Sequence, residues 1–242
     1  MAIARVQGTT ITRTGASKTA TSPAFGSTTG AGNLLIGFAW GTNDTLNHPT
    51  TYTFTCSNGD RCWTAVASER SGSTDYCAIG FCFVVTTGTP TLTFTQTSGG
   101  SSPGDCCIFG MEFSGLATSS VEEQNGATSG TNGDVDSGTS ITTVSANSLF
   151  VSCAVNNNDT ATFTANSTGS SPSSGWTIEQ QLNTTGQRSG CGAYVIVSST
   201  QTARCTYSMS TSGGWAGTVA TFKIFPPADA AKNTPMLFRG QA

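Results

Sequence analysis

The sequence predicts an all-β protein: a jelly-roll-like antiparallel β-sandwich built from two internal repeats, with an extended C-terminal tail. The first sign is repetition. Asn33-Leu34-Leu35-Ile36 returns as Asn147-Ser148-Leu149-Phe150, Trp63-Thr64 as Trp176-Thr177, Cys77 as Cys191, and Ser98-Gly99-Gly100 as Ser212-Gly213-Gly214. These landmarks keep one order and lie 114, 113, 114 and 114 positions apart. The period is far longer than the ~20–50 residues of a solenoid repeat, so each copy is a domain or half-domain. The second sign is a series of short aromatic and β-branched segments separated by Gly, Ser, Asn and Pro. The third is that no segment sustains a 3.6-residue apolar period with caps, so no long helix is expected.

Leu34 to Trp40, Tyr52 to Cys56, Trp63 to Ala67, Tyr76 to Thr86, Thr91 to Thr97 and Cys106 to Phe113 read as the strands of the first copy. Thr91-Leu92-Thr93-Phe94-Thr95 alternates strictly, which suits a strand buried on one face, and Arg204 to Met209 does the same in the second copy. Val6 aligns with Val121, so the polar stretch from Leu116 to Asn132 reads as part of the fold rather than a linker. The expected organisation is repeat 1 over residues 1–115, repeat 2 over 116–225 in one continuous sandwich with it, and an arm over 226–242.

Composition narrows the function. Charged residues make up only 10% of the 242, against roughly 25% in an average domain. Net charge is −3 and the Lys and Arg residues are scattered, which argues against nucleic acid or an anionic membrane as partner. No apolar run approaches the ~18 residues of a membrane span. Met1 to Gln7 lacks the apolar core of a signal peptide, so use without export, or prior removal of a leader, is expected.

Gly32-Asn33-Leu34-Leu35, Trp63-Thr64, the aromatic strand 76–85, Thr91-Leu92-Thr93-Phe94, Met111-Glu112-Phe113-Ser114-Gly115-Leu116 and the closing Trp215 to Lys223 together resemble the Ser/Thr-rich β-sandwich modules of phage structural proteins and bacterial surface proteins. The resemblance covers roughly residues 1–225 and rests on packing motifs, so it brings no catalytic residues. It implies a virion part, a capsid decoration (cement) protein or fibre component, whose partners are the major capsid protein or further copies of itself, in a homo-oligomer assembled in the host cytoplasm. The alternative it leaves is an extracellular carbohydrate-binding or adhesin module with surface glycans as partners.

Nine cysteines stand at 56, 62, 77, 82, 106, 107, 153, 191 and 205. Zinc fails on spacing: there is no Cys-x-x-Cys, and His48 is the only histidine. Most read as small buried hydrophobes, with Cys77 and Cys191 at one core position. Cys56–Cys62 is the disulfide candidate, because the Asn58-Gly59 turn between them could bring two strand ends together.

Catalysis has little to stand on. A nucleophilic triad would have to use His48 in the loop-like Leu46-Asn47-His48-Pro49. Opposed carboxylates would come from Glu69, Glu112, Glu122, Glu123 and Glu179, but none forms a repeated pair, and Glu112 between Met111 and Phe113 is expected at solvent or an edge. No catalytic residue, metal or cofactor is therefore assigned.

Two features remain as candidate binding sites. Asn43-Asp44 follows one strand and Asn157-Asn158-Asp159 follows its counterpart. Such clusters make Asx turns, and can also hold calcium or sugar hydroxyls. Both also read as glycosylation sequons, with Thr45 and Thr160. Trp215, after Gly213-Gly214, is the tryptophan expected at the surface beside such a loop site, whereas Trp63 and Trp176 repeat and are expected in the core. The other feature is the tail. Pro226-Pro227 stops the last strand, and Pro235-Met236-Leu237-Phe238-Arg239 then offers an apolar segment with no equivalent in the other copy, in the form of a docking peptide for a neighbouring subunit.

Overall fold

The computed structural model describes residues 2–43, 51–69, 75–97, 103–117, 122–138, 141–142, 146–184 and 188–224. The first copy contains β1 (Ala4–Gly8), β2 (Thr12–Thr14), β3 (Thr19–Thr21), β4 (Leu34–Asn43), β5 (Thr51–Cys56), β6 (Cys62–Glu69), β7 (Asp75–Phe83), β8 (Leu92–Thr97) and β9 (Pro103–Ser114). The second contains β10 (Glu122–Gly130), β11 (Val135–Asp136), β12 (Ile141–Thr142), β13 (Ser148–Asn156), β14 (Phe163–Ala165), β15 (Thr177–Leu182), β16 (Ser189–Val197), β17 (Thr202–Ala203), β18 (Thr206–Met209) and β19 (Trp215–Lys223). The described residues contain no helix, as expected.

The larger sheet of the first copy has the order β1-β9-β4-β7-β6, and that of the second β10-β19-β13-β16-β15. The smaller sheets are β3-β8-β5 and β11-β18-β14. Numbering the eight shared strands within each copy turns both larger sheets into 1-8-3-6-5 and both smaller ones into 2-7-4. This is the winding of two Greek keys into a jelly roll, with its fifth strand joined to the larger sheet. The β2, β12 and β17 segments are additions to one copy or the other.

Each copy thus closes its own sandwich, in place of the expected single sandwich divided between them. In the first, Phe54, Leu92 and Phe94 of the smaller sheet pack on Leu35, Ala39, Tyr76 and Ile108 of the larger. In the second, Phe163, Cys205 and Tyr207 pack on Phe150, Ala154, Cys191 and Val219. A third core joins the copies. Ile36, Phe38, Trp40, Ile79, Phe109 and Met111 of the first larger sheet lie against Val151, Cys153, Val155, Ala216, Ala220 and Phe222 of the second. The molecule is a four-layer stack whose central strands are apolar on both faces: all nine residues of β13 are buried. Their near-continuous apolar runs follow from this double coverage.

The copies match strand for strand, but not at a constant offset. Leu34 and Leu149 hold the same place, opposite Phe113 and Phe222 respectively. Ile36 stands opposite Phe81 and Val151 opposite Tyr194. Trp63 faces Phe81, and Thr177 faces that residue's equivalent, Tyr194. Trp63 is therefore equivalent to Thr177, one position past the sequence alignment with Trp176. Trp40 pairs with Cys77 and its equivalent Val155 with Gly190, so Cys191 corresponds to Ala78 rather than Cys77. A shift of one residue turns a side chain to the other face of a sheet. Accordingly Cys77 lies between the copies and Cys191 inside the second roll. Trp176 is core, 4% exposed, while Trp63 is only half-buried, stacked on Phe81 at 5.3 Å with the Arg61 guanidinium 5.0 Å from its ring.

Candidate functional site

The strands β4 and β13 finish at the same end of the stack. Asn43 closes β4 opposite Pro103, and Asp44 lies outside the described residues, as does His48. Asp75, paired with Thr42 at the start of β7, is fully buried, and its carboxylate accepts a 2.8 Å hydrogen bond from Arg188 Nε of the second copy. Arg188 Nη1 donates to the Asn157 carbonyl at 3.0 Å and lies 3.6 Å from Asp159. Asn158 is committed to a turn: its Oδ1 accepts from the Thr160 amide at 3.1 Å, and its own amide donates to Asn156 Oδ1 at 2.7 Å. The Asn157 carboxamide accepts from the Gly214 amide at 3.0 Å. Asn158 thus serves an Asx turn, and Asp159 flanks, within the second copy, the arginine that pairs with Asp75 of the first. Among the described residues no group of three or more His, Cys, Asp or Glu is arranged to hold a metal.

Trp215 is not at the surface. It is 7% exposed and its indole N–H donates to the Asn132 carbonyl at 3.3 Å. It begins β19 beside β10, opposite Gly130, where any side chain would strike the indole. The glycines before it therefore mark a strand entry.

Glu112 is at neither solvent nor an edge. It is fully buried, and its two oxygens accept from Gln7 Nε2 at 2.6 Å, the Gly30 amide at 2.8 Å and Asn33 Nδ2 at 2.7 Å. Alternation on β9 places it on the inner face, beneath the loop leading into β4. Its hydrogen bonds tie β1, that loop and β9 together, which satisfies the acid rather than poising it for chemistry. Glu179 is held by Arg5, whose Nε donates to it at 2.9 Å, a second ion pair between the copies.

The disulfide joins Cys62 to Cys82, not Cys56 to Cys62. The Ser57–Arg61 turn carries the chain from the smaller sheet into the larger one instead of reversing it within a ladder. Cys56 therefore faces Leu92 on β8, while Cys62 stands directly opposite Cys82 across β6 and β7, with 4.1 Å between Cα atoms. The seven other thiols are free and buried. Burial pushes the Cys106 and Cys205 thiols up to about 12, and Cys107, Cys153 and Cys191 upward as well. Such thiols stay protonated and are poor nucleophiles or metal ligands.

At the other end of the stack, Ala2, Ile3, Asn147, Ile196, Val197 and Ser198 line a cleft of about 390 Å³. Ile196 is 41% exposed there. The last strand finishes beside it: Lys223 lies opposite Ser148, which pairs in turn with Val197. Residues 235–239 lie outside the described residues.

Fold and site together define an all-β protein of two stacked jelly rolls whose described acids and thiols are engaged in holding the fold. Comparison with family models, curated proteins and solved structures finds no match to this chain.

Proposed function

We propose that the protein is a non-enzymatic structural subunit of a phage virion, a capsid decoration (cement) protein or a fibre component, acting through contacts with other subunits. The observation that carries this is the commitment of its ionisable groups. Asp75, Arg188, Glu112, Glu179 and the free thiols are spent on packing and on joining the two rolls. The resemblance to phage sandwich modules points the same way. In this reading the double roll is a rigid block, and the arm, leaving from the end that carries the Ile196 cleft, buries Met236, Leu237 and Phe238 against a neighbour. Many copies on one particle then stabilise it by mass action.

The alternative glycan-binding reading called for exposed aromatics beside the loops. The large apolar residues exposed among those described are Val6, Val85 and Ile196, none of them aromatic. The test is co-sedimentation of the purified chain with phage particles, full length and lacking 228–242. The expected result is binding by the full chain and loss of binding by a truncated protein that keeps its β circular dichroism. Unfolding or aggregation of the truncated protein, with the full chain a monomer, would return the arm to its own core. Binding to glycans without binding to particles would favour the adhesin reading.

A further inference from the structure

The outer face of the β3-β8-β5 sheet carries threonine at every outward position: Thr19 and Thr21 on β3, Thr93, Thr95 and Thr97 on β8, and Thr51, Thr53 and Thr55 on β5. The inward partners are Ala20, Phe94, Leu92, Phe54 and other buried residues. Register aligns the threonines in rows. Thr19, Thr95 and Thr53 form one, Thr21, Thr93 and Thr55 a second, and Thr97 with Thr51 a third. Hydroxyls meet across the strands, Thr19 with Thr95 at 3.2 Å, Thr21 with Thr93 at 2.9 Å, and Thr51 with Thr97. The result is a two-dimensional lattice of hydroxyl and methyl groups with no charge in it. Its spacing is set by the sheet, about 4.8 Å across the strands and about 6.7 Å along them.

The fold does not demand this. The equivalent sheet of the second copy carries Asp136 on β11, where Arg204 Nε donates to it at 3.0 Å, along with Thr164 on β14 and Ser208 on β18. Nor does the face suit a protein partner by itself. Three strands by five residues cover roughly 240 Å², against about 800 Å² per partner in a stable complex. A soluble sugar would want an aromatic platform and convergent polar groups, and the aromatics of this sheet, Tyr52, Phe54 and Phe94, all turn inward.

A single hydroxyl contact gains little, because it replaces one with water. A gain comes only when many fixed hydroxyls meet a partner of matching period at once. Threonine suits this, since its β-branched side chain is stiff at χ1 and loses little freedom on contact. Crystalline water is uncharged, rich in hydrogen-bonding oxygens and periodic on the same few-ångström scale. We infer that this threonine face binds the surface of ice, a property separate from the assembly role.

The test uses the full chain in ice-recrystallisation and thermal-hysteresis assays. The wild type should slow recrystallisation and depress the freezing point below the melting point. Thr53→Lys combined with Thr95→Lys should reduce both effects to the level of a buffer blank while keeping the β circular dichroism and melting temperature. Thr164→Lys, on the equivalent sheet of the second copy, should keep both effects. Should the double variant misfold, Thr53→Lys alone supplies the same comparison at the most exposed strand. No activity in the wild type, full activity in the lysine variants, or equal loss in Thr164→Lys overturns the inference. So does capture by an insoluble crystalline polysaccharide without any effect on ice.

Discussion

Replacing Gly192 by alanine tests the stacking of the two rolls directly. Gly192 on β16 faces the stacked rings of Phe38 and Phe109, whose centroids are 4.7 Å apart. A β-carbon built on it would lie 2.5 Å from Phe109 Cζ and 2.8 Å from Phe38 Cδ1. Both rings are fully buried, and Trp40 packs edge-on against Phe109 at 6.2 Å, so neither has room to retreat. Overpacking of this kind costs about 1–3 kcal/mol. For a chain of this size that lowers the melting temperature by about 2–4 °C per kcal/mol. Gly26→Ala is the control, because nothing lies within 4 Å of a β-carbon there. Urea and thermal unfolding followed by tryptophan fluorescence and circular dichroism would read both. If Gly192→Ala is as stable as Gly26→Ala, the larger sheets do not face each other and the four-layer arrangement is wrong.

Glu112→Ala takes one acceptor from Gln7, which keeps the Ser27 carbonyl, and the acceptor from Asn33 and from the Gly30 amide; all three donors being partly buried, it should lose about 1–3 kcal/mol in all in urea unfolding, and near-neutral behaviour would mean the acid is hydrated. Peptide mapping without reduction should recover Cys62 joined to Cys82 and never Cys56 to Cys62, and Cys62→Ser with Cys82→Ser should cost about 3 kcal/mol for a loop of this length. The native protein should resist alkylation at its seven buried thiols until it is unfolded; rapid labelling at neutral pH would contradict their burial. The folded pKa of Cys106 and Cys205, about 12, lies above the ordinary 9.0. Their contribution to stability is thus complete below about pH 9 and is lost as pH rises towards 12, because the unfolded chain releases the protons first. Melting temperature should fall through that window, and fall less in a Cys106→Ala variant relative to its own neutral value.

The all-β class, the strand segments and the duplication were legible because alternation and turn residues are local signals. Thr93-Phe94-Thr95 shows its buried face without any partner, and the structure gives Phe94 that face. What local signals do not carry is register. The bulges between Thr64 and Val66 and between Ile178 and Gln180 fall at equivalent places, but the offset between copies changes from strand to strand, from 115 at Leu34 and Leu149 to 114 at Trp63 and Thr177 and 113 at Phe81 and Tyr194, so matching letters such as Trp63 and Trp176 can sit on opposite faces. The same blindness produced the Cys56–Cys62 expectation: the turn was visible, but not that it crosses between sheets. Counting back from both sides of the β6–β7 hairpin is the signal that could have paired Cys62 with Cys82. A charge in an apolar strand suggests an edge, whereas donors from segments distant in sequence make Glu112 a core residue.

The contact between the rolls accounts for how the two copies differ in sequence on their facing sheets while keeping one topology. In the first copy the contacting face holds Phe38, Trp40, Ile79, Phe109 and Met111. Their register equivalents in the second are Cys153, Val155, Gly192, Thr218 and Ala220. Rings on one side meet glycines on the other: any side chain at Gly190 would collide with the Trp40 indole, as one at Gly192 would with Phe109. Two copies of the first face would set rings against rings, and two of the second would leave voids, each of which is costly in a close-packed interior. Only the unlike pair fills the space, with Arg188–Asp75 and Arg5–Glu179 fixing its orientation at the margins. The joined chain is thus a pseudo-dimer of two unlike faces on one shared strand pattern.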